Sequence, residues 1–220
     1  MARPYRSVLR DEQARLTRHA VVEAARNLFI ERGYTGTTID AVAEQAGVSR
    51  KTVFTTVGGK AALLKVAWDW ALAGDDEPIA MADRPALGEV LSQSDAKVLV
   101  ASWARFVCEI AARLAPLYEV LRVAARTDPD VAEVHATSER NRLGGARSFA
   151  QHLDEVGGLR PDLDIDRATE VAAVLMDPMP YQRLVEDAAW AMEDYAALIA
   201  RMAGAALLPE QHRAGGDTRS

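Results

Sequence analysis

The chain has 220 residues, 49% hydrophobic and 26% charged, with 26 Lys/Arg against 32 Asp/Glu for a net charge of −6. That is ordinary globular composition, long enough for one large domain or a small one joined to a larger one, with no need of a disulfide or metal staple. No apolar run reaches the roughly 18 residues of a membrane span, the basic N-terminus lacks an apolar signal core, and Cys108 is the single cysteine, so membrane, secreted, disordered and repeat classes drop out and a reducing cytoplasm is expected.

The charge is unevenly spread. Residues 1–65 hold eleven Lys/Arg against six Asp/Glu, whereas residues 66–220 hold fifteen against twenty-six. A basic head on an acidic body directs any polyanionic partner to the head. Arg3, Arg6, Arg10, Arg15 and Arg18 crowd the first eighteen residues. They make either a solvated tail or an arm that touches nucleic acid.

Apolar residues recur at three and four rather than two, so the pattern is helical almost throughout and the fold class is all-α. The first helix is expected from about Asp11 or Thr17 to Arg32, with a stripe of Leu16, Ala20, Ala24 and Leu28 widened by Val21, Ala25 and Phe29. Gly33 supplies the left-handed residue that closes it. Thr37 and Thr38 offer hydroxyls to the first turn of a short helix carrying Ile39, Val42, Ala43 and Ala46. Gly47-Val48-Ser49 breaks it, and Ser49 caps a third helix reaching Thr55 or Thr56. After Gly58-Gly59 a fourth helix runs from Lys60 to about Ala73. An acidic loop then leads through Asp75-Asp76-Glu77 and Arg84-Pro85 to a short helix near Ala86–Leu91. Ser94 or Asp95 caps a long helix to about Leu114, buried nearly all round, with Leu99, Trp103, Phe106 and Ile110 on one side. Pro116 begins another helix to Arg126, and Asp128-Pro129 opens a long one to about Val156, stopped by Gly157-Gly158. Asp164–Met176 is helical until Asp177-Pro178-Met179-Pro180 breaks it. Tyr181–Ala206 follows, with an interruption near Trp190, and residues 209–220 form a polar, disordered tail.

Thr38 to Lys60 is the informative stretch. Two short amphipathic helices joined by a turn centred on Gly47 form a helix-turn-helix, which presents its second helix to a DNA major groove. Ala43 is small enough for the two helices to cross closely. Outward on the second helix stand Arg50, Lys51, Thr52, Thr55 and Thr56, donors suited to phosphates and base edges. Helical hairpins with a Gly turn are common. The basic arm and the Arg-Lys-Thr face favour DNA binding over a purely structural hairpin.

The run Thr37-Thr-Ile-Asp-Ala-Val-Ala-Glu-Gln-Ala-Gly-Val-Ser-Arg-Lys-Thr-Val-Phe-Thr-Thr-Val-Gly-Gly-Lys-Ala-Ala-Leu63, with Ala24-Ala-Arg-Asn-Leu-Phe-Ile-Glu-Arg-Gly-Tyr34 before it, resembles the DNA-binding domain of TetR-family regulators. The resemblance covers about the first 65 residues. Beyond it the chain matches only in length, helical character and, at Trp190-Ala-Met-Glu-Asp-Tyr195, a final-helix motif. It implies a homodimeric, ligand-responsive transcription factor, usually a repressor, bound to palindromic double-stranded operator DNA. By position, Thr38 resembles a phosphate contact, Ser49 opens the recognition helix with Arg50, Lys51, Thr52, Thr55 and Thr56, and Lys60 resembles the lysine that grips phosphate at the next helix start. Phe54 stands where the family usually has Tyr, so a hydroxyl contact to phosphate is lost. Thr56-Val57 and Ala61 also depart from the usual His-Phe and Glu.

The expected organisation is therefore an arm and helix-turn-helix domain at 1–65, a larger helical ligand-binding and dimerisation domain at 66–208, and a tail at 209–220. Within the larger domain Trp103, Phe106, Tyr118 and Met176, with Arg122 or Asn141 as polar anchor, are candidates to line an effector cavity for a flat, mostly apolar molecule. Plain core packing is the commoner role of any one of them. Ala196–Leu208 against Ala168, Val171, Ala172 and Leu175 fits a dimer's four-helix bundle, or burial of the two faces within one subunit; the dimer is the favoured expectation. His135 and Glu139 sit one helical turn apart, and Asp75-Asp76-Glu77 is acidic, but neither has the ligand set of a metal site. Cys108 reads as a packed thiol. No cofactor, metal or membrane partner is expected. An α-helical enzyme is the rival class, and the chain carries no nucleophile motif, phosphate loop or acid/base pair to support it.

Overall fold

The computed structural model describes residues 3–210, and the described residues contain helices and no strand. The tail beyond residue 210 and the side chains of Arg3 and Arg6 lie outside that description. The chain divides into two compact units. One takes the chain up to Asp76 together with Pro116–Ala136, and the other takes Glu77–Ala115 and the chain from Thr137 onward.

In the first unit, α1 covers Arg3–Gly36, α2 Ile39–Gln45, α3 Arg50–Thr56 and α4 Lys60–Ala73. Helix α1 begins well before the expected Asp11 or Thr17, because nothing from Arg3 onward, apart from the tolerated first-turn Pro4, interrupts helical residues. Leu16 is 60% exposed and Ala20 is exposed too, so the buried stripe starts only at Val21 and runs through Val22, Ala25, Leu28 and Phe29. Gly33 takes a left-handed φ of 69°, bending the chain before Tyr34. Thr37 does not cap α2. Its buried hydroxyl donates back to the Gly33 carbonyl at 2.8 Å, and Thr38 alone serves as the cap, accepting from the Ala41 amide at 3.1 Å. Helix α4 buries Leu63, Leu64, Ala67, Trp68 and Ala71, and Trp68 lies 6.3 Å from the Tyr118 ring.

The second unit contains a 3-10 turn at Met81–Asp83, α5 (Pro85–Leu91), much of α6 (Ala96–Ala124) and α7 (Pro129–Glu155), then α8 (Ile165–Leu175), α9 (Pro178–Tyr181) and α10 (Met192–Leu207). Its core joins Leu99, Trp103, Val107, Phe149, Leu153, Ala168, Ala172, Tyr195, Ile199, Ala203 and Leu207, with Trp103 stacked on Phe149 at 4.1 Å. Helix α6 is not buried all round: Lys97, Val98, Ala101, Arg105 and Glu109 form an exposed strip. Asp95, not Ser94, caps it by accepting from the Lys97 and Val98 amides.

Of the two breaks expected from proline, one occurs: α8 ends at Leu175 and the chain is extended at Asp177. The other does not, because Pro116 lies inside a continuous α6, and past the Asp177 break Pro178-Met-Pro-Tyr181 forms a new turn of α-helix capped by Asp177. The chain then widens into a π-helical turn, Gln182–Asp187, and Ala189 adopts a φ of 56° before α10 begins. The interruption expected near Trp190 is therefore present.

Candidate nucleic-acid interface

Helices α2 and α3 are each seven residues long, too short to stand alone in water, so tertiary packing holds them. Val42, Ala43 and Val53 are buried between them and α1. Gly47 turns the chain with a φ of 68°, and Ser49 caps α3 by accepting from the Thr52 amide at 3.0 Å. These restraints leave Arg50, Lys51, Phe54 and Thr55 exposed on the outer side of α3.

Not every candidate donor is equally free. Thr55 turns its hydroxyl back onto the Lys51 and Thr52 carbonyls, each at 3.1 Å, and the Thr52 and Ser49 hydroxyls bond one another at 2.8 Å. Arg50 reaches across to Asp40 on α2, its Nη1 donating to both carboxylate oxygens at 3.0 and 2.8 Å. Its guanidinium carbon lies 5.7 Å from the Phe54 ring centre. Lys51 is exposed, as is Thr38 at the head of α2.

Lys60 is half-buried. Its Nζ donates to the Tyr34 carbonyl at 3.0 Å and lies 4.3 Å from the Tyr34 ring centre. One of its three N–H groups is thus committed, and two remain for an anion. Tyr34 in turn donates its hydroxyl to Asp128 at 2.7 Å. Burial, followed by that acidic partner, pushes the Tyr34 hydroxyl well above its ordinary pKa, and the hydrogen bond holds the Asp128 carboxyl below the usual carboxylate range.

Beside α3 opens a cleft of about 620 Å³ lined by Arg10, Gln13, Arg15, Arg18, Thr55 and Thr56. Arg18 donates to the Thr56 carbonyl at 2.9 Å, and Arg15 pairs with Asp76 at 3.1 Å. Counting charges along the first eighteen residues pointed to this basic character. It could not show that α1 places Arg10, Arg15 and Arg18 against the end of α3, since these residues lie about forty positions away in sequence.

The other sequence candidates are dispersed. Trp103 is buried in the second unit, where Phe106 and Met176 pack partly against its core and Asn141 is exposed. Tyr118 and Arg122 belong to the first unit, Tyr118 near Trp68 and Arg122 ion-paired with Glu119 at 2.7 Å. Cys108 is a buried thiol whose pKa is pushed up to about 12 by burial and then by Glu109. No group of three or more His, Cys, Asp or Glu fit to hold a metal occurs among the described residues, and no described helix is long and apolar enough to cross a membrane.

An all-helical chain whose head holds a short basic helix outward across a Gly turn defines the class of helix-turn-helix transcriptional regulators. Residues 21–67 match the family model for bacterial regulatory proteins, tetR family. The HTH-type transcriptional regulator YdeS of Bacillus subtilis (strain 168) is 28% identical over 171 residues, covering 77% of this chain and 79% of YdeS. SmeT in complex with triclosan superposes with a TM-score of 0.67 at 19% identity, over 93% of this chain and 97% of SmeT. SmeT is the repressor of the Stenotrophomonas maltophilia multidrug efflux pump SmeDEF. NalD, the secondary repressor of the MexAB-OprM multidrug efflux pump in Pseudomonas aeruginosa, gives 0.66 at 17% identity, over 90% of this chain and 98% of NalD. At these identities the likeness to the solved structures is one of fold.

Proposed function

We propose that this protein is a TetR-family regulator, a ligand-responsive homodimeric repressor that binds a palindromic operator through α3. The outward face of α3 carries the reading: Arg50, Lys51 and Thr55 are exposed beside a cleft lined by Arg10, Arg15 and Arg18. Lys51 and Arg50 supply base contacts, Thr52 and Thr55 methyl and hydroxyl contacts, and Thr38, Ser49, Thr56 and Lys60 the phosphate side of the interface. The arginines of α1 add phosphate contacts along the same face. Residues 1–65 form the DNA-binding domain, and residues 66–208 carry regulation and dimerisation.

Two-fold symmetry follows from what one head can achieve. A single short recognition helix binds weakly, whereas a dimer places two in successive major grooves, about 34–36 Å apart or a multiple of that. An effector held by the second unit, near half-buried Phe106 and Met176, releases DNA by favouring a conformer whose heads do not match the operator. Its effect is bounded by its differential affinity for the two conformers. The triclosan complex of SmeT supports an aromatic, mostly apolar effector class.

Fluorescence anisotropy tests the reading. The protein is titrated onto DNA from upstream of its own gene and onto a scrambled duplex, at two salt concentrations. Tight binding to the upstream DNA alone, two protomers per site, is expected. Lys60→Ala should weaken binding to every duplex, whereas Arg50→Ala and Lys51→Ala should also erode the preference. Weak and equal binding to both duplexes would remove the regulator reading and return the hairpin to a structural role.

A further inference from the structure

We infer that Asp40 is a specificity-determining residue of this head: it holds Arg50 away from indiscriminate phosphate binding and presents the guanidinium edge-on to a base. The inference rests on the DNA-binding reading above.

Arg50 opens α3, where a flexible arginine would reach any nearby phosphate. Here it is restrained from two sides. Asp40 of α2 accepts from Nη1 through both oxygens at 3.0 and 2.8 Å, and Phe54, one turn along α3, lies under the guanidinium at 5.7 Å. Neither partner serves the core. The Asp40 side chain is 69% exposed, Phe54 is exposed, and the α2 cap is already provided by Thr38. An ion pair this exposed does little for stability, so its consequence lies in what Arg50 can do.

With Nη1 engaged, the Nε–Nη2 edge is left, and those two groups have no hydrogen-bond partner among the described residues. Two parallel N–H donors in one plane match the O6 and N7 acceptors of guanine in the major groove. That contact can form with the Asp40 pair intact. A phosphate approaching the same arginine meets the Asp40 carboxylate as well, and binds less well for it. The pair therefore lowers affinity for DNA in general and leaves affinity for the right base step. Phe54, where a tyrosine would have reached out with a hydroxyl, contributes a flat face to the clamp.

The test compares wild type, Asp40→Asn, Arg50→Ala and the double variant on the upstream DNA and the scrambled duplex, each across a salt series, with thermal melting to confirm that all four fold. Asp40→Asn should bind the scrambled duplex more tightly. Its log–log salt slope there should steepen by about 0.9, the value of one added phosphate contact. The ratio of upstream to scrambled affinity should fall roughly tenfold. In the Arg50→Ala background the same substitution should leave both slope and ratio where they were. Equal shifts on both duplexes, with or without Arg50, would reduce Asp40 to a bulk negative charge and overturn the proposal, as would an Asp40→Asn ratio equal to wild type. A wild-type protein that cannot tell the two duplexes apart would instead fail the DNA-binding reading itself, and the proposal with it.

Discussion

Tyr34 joins three parts of the first unit through single atoms. Its carbonyl accepts from Lys60, its ring lies under the same ammonium, and its hydroxyl donates to Asp128, which also caps α7 by accepting from the Asp130 and Val131 amides. Because the folded-state pKa of Asp128 is lowered, first by the Tyr34 hydrogen bond, the bond stabilises the fold above the unfolded carboxylate value of about 3.9 and is lost as pH falls through the folded value. Tyr34→Phe should therefore cost about 1 kcal/mol at neutral pH, since Asp128 is only half-buried, and the deficit should shrink below about pH 4. Urea denaturation at pH 7 and pH 3.5 checks this, and a deficit unchanged between the two would sink the account. Side-chain roles at this scale were only partly legible. Thr38 and Ser49 cap as their residue types and positions require, but the Tyr34–Asp128 and Arg50–Asp40 pairs join residues whose adjacency is made by folding.

At the scale of elements, glycine spacing is a reliable guide, and proline is one at Pro129 and Pro178 but not at Pro116. Gly33, Gly47, Gly74 and Gly157 all take left-handed φ at or near helix ends, where a Cβ would clash with its own backbone. Pro116 was expected to start a helix and instead sits within α6. Its missing N–H and ring clash cost about 3 kcal/mol in isolation, and burial of Leu114, Ala115, Leu117 and Tyr118 on either side offsets that cost. Gly158 illustrates the opposite limit. A Cβ there would lie 2.8 Å from Leu153 Cδ1 and 3.2 Å from the Leu153 carbonyl, and would also press on the Cβ of Ala96. Gly158→Ala should destabilise the protein by about 1–3 kcal/mol through overpacking, whereas Gly144→Ala, with nothing near its Cβ, should be neutral or slightly stabilising. Thermal melts of the two variants separate these cases.

At the scale of the whole molecule, the apolar faces first assigned to a dimer turn out to be used within the subunit. Ala168 and Ala172 of α8 are completely buried in one core with Ile199, Ala203 and Leu207 of α10. What those two helices leave outward includes Val174 at 68% exposure and Met202 at 47%. If homodimerisation uses α8 and α10, it uses this other side. Sedimentation velocity should then find twice the mass of one chain for the wild type and a monomer for Val174→Glu combined with Met202→Glu, with the melting temperature nearly kept. A dimer that survives the double substitution would place the interface elsewhere.

The amino-acid sequence alone determined the all-helical class, the basic head and the turn that sets α3 outward, because these depend on local periodicity, capping chemistry and the conformational freedom of glycine. Tertiary structure alone decided which way each amphipathic face turned and which charged groups met. Period 3.6 shows that a helix has an apolar side but not what covers it, so Ala168 and Ala172 could serve equally in a subunit core or a dimer seam. An arginine's charge can be read from the chain. The Asp40 that restrains Arg50 is a neighbour only once α2 has crossed α3.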